Sequence, residues 1–188
     1  VHPEGQFAPD TYSFPRGTPE IEILEQAYLS LQAQLEEIWN ARSPVVVVET
    51  PYEALILASI IEKETALATE RRQISGVFSR RLQRGMRLQT DPTVIYGLGD
   101  DFDGNLRRAD LARDTPYNTY TRRGLPPTPI ALAGGDALRA AVDPDESLAL
   151  YFVATGLGDG SHTFSATLEE HNRAVSAYLQ RLRTRDSQ

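Results

Sequence analysis

The sequence contains no cysteine and only one methionine and one tryptophan, and nearly all of its positive charge is arginine. Without cysteine the chain has no disulfide, thiol nucleophile or thiolate metal ligand. Its longest apolar run, "ALILASII" at residues 54–61, is far short of the roughly 18 residues of a membrane-spanning helix. Nucleic-acid surfaces are usually basic, whereas the net charge here is -7. We therefore expect no nucleic-acid partner.

The length of 188 residues suits one domain with a small appendage. The chain opens "VHPEGQF", with neither a methionine nor a signal-peptide pattern, so we expect a processed or excised part of a longer protein. Residues 1–17 are rich in proline, glycine and aromatics and predict an ordered loop or a short strand pair, with a frayed terminus as the alternative. Residues 18–188 then form the main domain.

Apolar periodicity and capping signals predict mostly helices with one hairpin, an α+β fold. Thr18 and the pair Thr50 and Glu53 are expected to cap the first two helices, and Thr167 with Glu170 the last. The predicted helices cover residues 18–42, 51–68, 70–84, 91–97, 136–142 and 168–183, and the predicted strands cover 148–155 and 162–167. Residues 100–135 form a long loop region, which is typical of a functional segment.

The stretch "IIEKETA" places Glu62 and Glu64 two positions apart on the second helix, so they point about 200° from each other. Glu64 falls on an apolar row with Leu57, whereas Glu62 falls on a smaller, more polar edge with Ser59. An acid in an apolar groove has a raised pKa and suits general acid catalysis. Pairing of Glu64 with a buried arginine, or a solvated helix end, are the alternatives.

Amides and aromatics in and around the long loop suit sugars, through hydrogen bonds and stacking. Gln89, Tyr117, Asn118 and Tyr120 are the main examples. Plain loop structure is the alternative, since Asn118 could form an Asx-turn. His162, on a predicted strand, is either a site residue or a satisfied core histidine. It lies nine residues from His171 without metal-type spacing, so we expect no metal and no cofactor.

A glycosidase usually needs a second carboxylate near the first. Asp91 precedes Pro92 and is more typical of a helix cap, while the remaining acids occupy exposed-looking turns or polar loops. These are Asp100, Asp101, Asp103, Asp110 and Asp114. No partner for Glu64 stands out, although Asp91 and Asp114 remain open for a hydrolytic, lysozyme-type reaction.

Several long segments closely resemble the YceG-like (MltG) family of endolytic murein transglycosylases. They are "EGQFAPDTYSF", "ASIIEKETA", "RLQRGMRLQTDPTVIYGLG", "YNTYTRRGLPPTPIA" and "LYFVATGLGDGSHTF…HN", which together extend from about Glu4 to about Leu182. The resemblance implies a lysozyme-like catalytic domain in which the acid ends a helix at the cleft. Unlike the family pattern, the chain has no membrane helix and no complete LysM-like domain.

The resemblance further implies a bacterial enzyme that cuts peptidoglycan between N-acetylmuramic acid and N-acetylglucosamine and leaves a 1,6-anhydromuramyl end. Its catalytic acid maps onto Glu64. The implied substrate contacts are Gln89, Thr90, Tyr117, Asn118, Tyr120, His162 and Phe164. The implied partners are glycan strands and peptidoglycan synthases, and the implied location is the periplasmic side of the inner membrane, reached through an anchor absent from this chain. A non-catalytic glycan-binding scaffold is the remaining alternative.

Overall fold

The computed structural model describes residues 3–185, which form seven α-helices and one β-hairpin. The helices are α1 (Glu20–Asn40), α2 (Pro51–Glu64), α3 (Arg71–Gln83), α4 (Asp91–Leu98), α5 (Arg108–Ala112), α6 (Gly135–Val142) and α7 (Leu168–Arg185). The strands are β1 (Tyr151–Ala154) and β2 (His162–Ser165). The predicted mainly helical α+β class is therefore confirmed. Of the two segments predicted from the sequence, residues 1–17 and 18–188, the terminal residues 1–2 and 186–188 lie outside the described part of the chain.

Helix α2 is the centre of the core, and all eight of its residues from Ala54 to Ile61 are buried. It packs against α6, α3, α1 and α4. Its start is as predicted: Thr50 accepts a hydrogen bond from the Glu53 backbone, and the Glu53 carboxylate accepts one from the Thr50 backbone. The edge through Ser59 was predicted to be polar, but Ser59 is fully buried. Its hydroxyl oxygen accepts a hydrogen bond from the Ile130 backbone N–H.

The end of α2 differs from the prediction, because the helix stops at Glu64 rather than near Ala68. Thr65 is extended (φ -146°, ψ 137°), and its hydroxyl accepts a hydrogen bond from the Leu67 backbone at 3.0 Å. Threonine side chains that bond their neighbours' backbone compete with the helix in this way. Glu64 is consequently the last helical residue, as the family resemblance implied.

Helix α1 begins two residues later than predicted, and Thr18 does not cap it. The cap position is Pro19, and the Thr18 hydroxyl donates instead to the Pro15 carbonyl at 2.9 Å. The first turns lack an apolar neighbour, since Ile21 is 69% and Leu24 is 48% exposed. Only the later residues of the apolar row, Ala27, Leu31, Leu35 and Ile38, are buried.

The remaining helices match their predictions within about two residues, except that the long loop contains the short helix α5. β1 and β2 pair antiparallel, with Phe152 opposite Phe164 and Ala154 opposite His162. Helix α7 packs on both strands and starts with the predicted capping box at Thr167 and Glu170. The hairpin therefore joins α7 to the helical body.

The N-terminal segment forms an ordered loop on the body. Ala8 is buried, and its backbone N–H donates to the Ala27 carbonyl at 3.1 Å. Gly5 has φ +76° and lies so close to Pro129 that a Cβ would clash with the proline ring. Across residues 3–185, no helix combines the length and apolar character needed to cross a membrane.

Candidate active site

The end of α2 places the Glu64 side chain in a cavity of ≈ 570 Å³, a size common for small-molecule and sugar sites. Segments far apart in the chain build its walls. The lining residues are Glu64, Arg81, Leu88, Gln89, Thr90, Asp91, Tyr120, Tyr151, Phe152, Val153, Leu168, His171, Asn172 and Val175. The cavity thus lies between the helical body on one side and the hairpin with α7 on the other.

Glu64 is a carboxyl whose surroundings favour the protonated form. Burial raises its pKa, and the nearby Asp91 charge acts in the same direction. A hydrogen bond that Thr90 Oγ1 donates to Glu64 Oε1 opposes this effect, as do the charges of His162 and Arg81. The balance is a raised pKa, as required of a group that donates a proton near neutral pH.

The segment that presents Thr90 is held in place by the loop around Thr119. The Gln89 backbone N–H donates to the Thr119 carbonyl at 3.2 Å, and the Thr90 N–H donates to Thr119 Oγ1 at 3.1 Å. Gln89 itself has φ +53°, a left-handed conformation that is uncommon for any residue other than glycine. Such backbone conformations concentrate at functional sites, and here this one exposes the Gln89 side chain at the cavity.

Asp91 brings a second carboxylate into the cavity, where the sequence favoured a helix cap but left a role beside Glu64 open. It is the first residue of α4 rather than the cap, which is Thr90. Its Oδ1 accepts a hydrogen bond from the Tyr120 hydroxyl at 2.6 Å. Burial and this bond raise the pKa of Tyr120, so the phenol stays protonated and donates. Two consecutive residues, Thr90 and Asp91, therefore both reach the cavity.

Arg81 was not predicted as a site residue. Its Nε donates to the Leu150 carbonyl and its Nη1 to the Leu88 carbonyl, both at 2.7 Å. The guanidinium lies over the Tyr151 ring, 5.2 Å from the ring centroid. Arg81 forms no ion pair with Glu64, yet its charge favours the Glu64 carboxylate. One alternative left open above was a pair between Glu64 and a buried arginine. The structure places Arg81 in the lining of the same cavity as Glu64.

His162 and Phe164 lie on β2 and do not line the cavity. Both the His162 backbone N–H and its Nδ1 contact the Glu70 carboxylate, at 2.9 Å and 2.7 Å. Phe164 packs against Phe152, with 5.9 Å between ring centroids, and against the hydrophobic core.

Tyr117 and Asn118, also predicted as substrate contacts, do not line the cavity. Tyr117 packs against Tyr96, and its hydroxyl lies 2.9 Å from Thr128 Oγ1. Asn118 is 0% exposed, and its Nδ2 donates to the carbonyls of three loop residues. Its Oδ1 accepts from the Tyr120 N–H at 2.8 Å, which is an Asx-turn. Asn118 therefore organises the loop that presents Tyr120.

The other acids considered as partners for Glu64 lie outside the cavity. Asp114 binds Arg122 at 2.9 Å and accepts from the Thr121 hydroxyl, and these bonds lower its pKa to about 2. Ion pairs with exposed arginines hold Asp101 and Asp103. Asp91 is thus the second carboxylate that the structure brings to Glu64.

Glu62 serves a structural purpose. Its Oε2 accepts a hydrogen bond from the Gly134 backbone at 3.1 Å, just before α6, and its Oε1 lies 3.9 Å from Arg71 Nη2. Lys63 between the two acids is exposed. The two glutamates therefore differ in role: Glu62 ties α2 to α6, and Glu64 enters the cavity.

One wall of the cavity comes from α7, through Leu168, His171, Asn172 and Val175. None of these was predicted as a site residue. The signal available in the sequence was "HN", part of a segment that carries the family resemblance. Within residues 3–185 no group of three or more histidine and acidic side chains is arranged to hold a metal ion.

The fold and this cavity define a class: a mainly helical α+β domain whose central helix ends in a half-buried carboxyl at an open cleft. The YceG-like family matches the chain over residues 1–177. With a TM-score of 0.78 and 37% identity, a crystal structure of a yceG-like protein from Listeria monocytogenes covers 90% of this chain and 54% of that one. The chain belongs to the YceG-like family.

Curated relatives carry the name endolytic murein transglycosylase. The protein from Bacillus subtilis (strain 168) is 38% identical over 179 residues, 95% of this chain and 49% of the relative. The protein from Streptococcus pneumoniae (strain D39) is 31% identical over 181 residues, 94% of this chain and 32% of the relative. The chain thus spans about half of the first relative and about a third of the second.

Proposed function

We propose that this chain is the catalytic part of an endolytic peptidoglycan lytic transglycosylase. It cleaves the bond between N-acetylmuramic acid and N-acetylglucosamine, leaves a 1,6-anhydromuramyl end, and uses Glu64 as its single acid and base. The observation that carries the proposal is the Glu64 carboxyl, half-buried at the end of α2, facing the cavity and with a raised pKa. The names of the relatives support the choice of substrate.

In this reaction the protonated Glu64 carboxyl first donates its proton to the glycosidic oxygen, and the bond from that oxygen to C1 of the muramyl sugar breaks. The sugar's own C6 hydroxyl oxygen then bonds to C1, and its proton returns to Glu64. The nucleophile is part of the substrate, so no second acid is needed to activate a water. Protons and bonds balance, and the enzyme ends in its starting state.

The groups around Glu64 suit both halves of this cycle. Burial and the Asp91 charge hold the proton on Glu64 before cleavage. Thr90 Oγ1, which donates to Glu64 Oε1, and the positive charge of Arg81 stabilise the carboxylate that cleavage creates. The first set of groups therefore favours the acid that releases the proton, and the second set favours the carboxylate that takes one back.

A lysozyme-type hydrolase is the second candidate, and Asp91 favours it. Asp91 lines the same cavity, so a second carboxylate that could activate a water is present. The Tyr120 hydroxyl already donates to one Asp91 oxygen, which leaves the other available. A non-catalytic glycan-binding scaffold is the third candidate.

The products of peptidoglycan digestion, weighed by mass spectrometry, test the proposal. We expect muramyl ends lighter by one water than reducing ends, and hydrated ends alone would support the hydrolase. Glu64→Gln keeps the size and removes the acid, and we expect a loss of activity of about 10²–10⁴-fold. Asp91→Asn should abolish cleavage only in a hydrolase.

Glu62→Gln is the matched control for Glu64→Gln. The amide oxygen of glutamine can still accept the hydrogen bond from Gly134, so most activity should remain. If Glu62→Gln abolished cleavage and Glu64→Gln did not, the assignment of the catalytic acid would be reversed. If neither variant nor the parent cleaved glycan but the parent bound it, the scaffold would be supported.

We further propose a location and partners, supported by the family resemblance alone. The catalytic part works on the periplasmic side of the bacterial inner membrane, held there by an anchor in a part of the protein that this chain does not contain. It acts on nascent glycan strands beside peptidoglycan synthases. Fractionation of cells that carry the full-length protein, followed by crosslinking to synthases, tests both statements.

A further inference from the structure

The α7 side of the cavity has a mixed character that core packing does not require. Its lining residues Leu168, His171, Asn172 and Val175 are spaced i, i+3, i+4 and i+7, so they form one stripe along the helix. We call this stripe the α7 wall. The two outer residues are apolar, and the two inner ones are an imidazole and an amide. A helix that only packed on the hairpin would carry apolar residues at all four positions.

His171 is held in one orientation with one ring nitrogen facing away from any partner. Its ring stacks on Tyr151, with centroids 5.2 Å apart and planes at 23°. Within the described part of the chain, Nδ1 is buried and makes no hydrogen bond. Burial lowers the pKa of His171, and the Arg81 charge lowers it further, so the ring is neutral at pH 7.

A neutral imidazole carries one proton, on either nitrogen. A buried N–H without a partner is rarer and more costly than a buried acceptor without one. The proton of His171 therefore belongs on Nε2, which makes it a hydrogen-bond donor. No protein group between residues 3 and 185 uses that donor, so it is available to a ligand in the cavity.

Asn172 supplies a complementary pair of groups beside it. Its side chain is exposed at the cavity and makes no hydrogen bond to the described residues, so both its oxygen and its nitrogen are available. A secondary amide such as an acetamido group is trans, so its N–H and C=O point in opposite directions and need two different partners. The Asn172 side-chain oxygen can accept from the N–H while the His171 ring donates to the C=O. Leu168 and Val175, one turn away on either side, offer apolar surface for a methyl group.

We propose that the α7 wall binds the acetamido group of a sugar in the cavity: the Asn172 side-chain oxygen accepts from its N–H, His171 Nε2–H donates to its carbonyl, and the methyl group packs on Leu168 or Val175. This deepens the proposed function, on which it rests for the substrate class. Asn172 would then make the amide contact with the sugar that the sequence assigned to Asn118, which is fully buried in its loop.

The test compares two neutral probes that differ only in this group, the β-1,4-linked tetramers of N-acetylglucosamine and of glucose. Binding to the Glu64→Gln protein is measured by calorimetry, so the readout does not depend on cleavage. We expect the N-acetylated tetramer to bind at least about tenfold more tightly, which corresponds to about 1.4 kcal/mol. Equal affinity for the two tetramers, or no binding of the N-acetylated one, would overturn the proposal.

Variants then locate the contact. Asn172→Ala and His171→Phe, which keeps a ring against Tyr151, should each reduce the preference for the N-acetylated tetramer by about fivefold or more and leave glucose-tetramer binding unchanged. His171→Gln, which retains a donor, should restore part of it. Gln180→Ala, an exposed change further along α7, is the control. Equal weakening toward both tetramers would indicate a structural role and overturn the proposal.

The two proposals can fail separately. If Glu64→Gln retained cleavage, the assignment of the acid would fail while the tetramer preference could stand. If the preference were absent while Glu64→Gln abolished anhydro products, the α7 wall would lose its assigned role and the reaction would keep its support.

Discussion

At the scale of single residues, neighbouring side chains of the same type have different surroundings. Glu62 lies against the start of α6, where a backbone N–H and Arg71 use its charge. Glu64 enters a cavity where burial opposes its charge. The same contrast separates Asn118, whose groups are all used inside a loop, from Asn172, whose groups face the cavity. Side chains of the same type thus take structural or site roles according to their burial and their hydrogen-bond partners.

The raised pKa of Glu64 has a consequence for stability. In the unfolded chain Glu64 ionises near its usual pKa of 4.5, whereas in the folded chain it ionises at a higher pH. Between those two pH values the folded state holds one more proton, so the free energy of unfolding falls as pH rises. Glu64 thus favours folding at low pH, and that contribution is lost as pH rises through its folded-state pKa.

We therefore expect Glu64→Gln to raise the thermal unfolding midpoint relative to the parent at pH 7–8, because the variant carries no charge to bury. The advantage should shrink as pH falls toward 4.5. Scanning calorimetry of both proteins across this range measures it. A difference that stayed constant with pH would contradict the raised pKa.

Gln89 provides a second test, since its φ of +53° is strained for a residue with a Cβ. Gln89→Gly and Gln89→Ala both remove the side-chain amide from the cavity, so both should lower activity. Only glycine relieves the strain, so Gln89→Gly should be more stable than Gln89→Ala by about 1 kcal/mol in urea unfolding. Equal stability of the two would show that the backbone at this position relaxes.

Part of the candidate site could be predicted from the sequence. Helical phase and the family resemblance both selected Glu64, and the resemblance selected Gln89 and Thr90. Nothing local distinguished the buried amide of Asn118 from an exposed one, because its burial depends on carbonyls of Asp110, Leu111 and Arg113 that the loop brings around it.

At the scale of helices and strands, local chemistry predicted where elements start better than where they end. The capping boxes at Thr50 and Thr167 formed as expected, because each involves residues only three positions apart. The end of α2 was misjudged, since it depends on the Thr65 hydroxyl bonding the backbone ahead of it. The end of α2 matters for the site, because Glu64 is its last residue and lines the cavity.

The Thr50 cap allows a prediction for α2. Thr50→Ala removes the hydroxyl that accepts from the Glu53 backbone and should cost about 1 kcal/mol of folding free energy in urea unfolding. The cap lies at the opposite end of α2 from Glu64, so activity measured well below the unfolding midpoint should stay near that of the parent. A large loss of activity in a fully folded variant would indicate that the cap also positions the acid.

At the scale of the whole molecule, the cavity exists only because distant segments meet. Glu64 ends α2, Arg81 belongs to α3, Asp91 begins α4, and Tyr151 and His171 come from the hairpin and α7. Periodicity could place each helix but not their contacts, so the α7 wall and Arg81 were missed. Groups that tie the hairpin to the body consequently control the width of the cavity.

The pair formed by Glu70 and His162 is such a tie. Glu70, 8% exposed, precedes α3, and it accepts from the backbone and the ring of His162 on β2. Removal of the Glu70 carboxylate leaves the backbone N–H and the Nδ1 of His162 without their partner at a site largely shielded from solvent. Unpaired groups of this kind cost about 1–3 kcal/mol each.

Glu70→Ala should therefore lower the free energy of unfolding by about 2 kcal/mol or more, raise hydrogen exchange in residues 151–165, and weaken glycan binding, because the hairpin and α7 lose their fixed distance from Glu64. The matched control is Glu169→Ala, which breaks an exposed ion pair with Arg173 and should change all three measurements far less. Faster exchange in the hairpin with unchanged glycan binding would mean that the cavity does not depend on this tie, and that Arg81, through its bond to the Leu150 carbonyl, is sufficient to hold the hairpin in place.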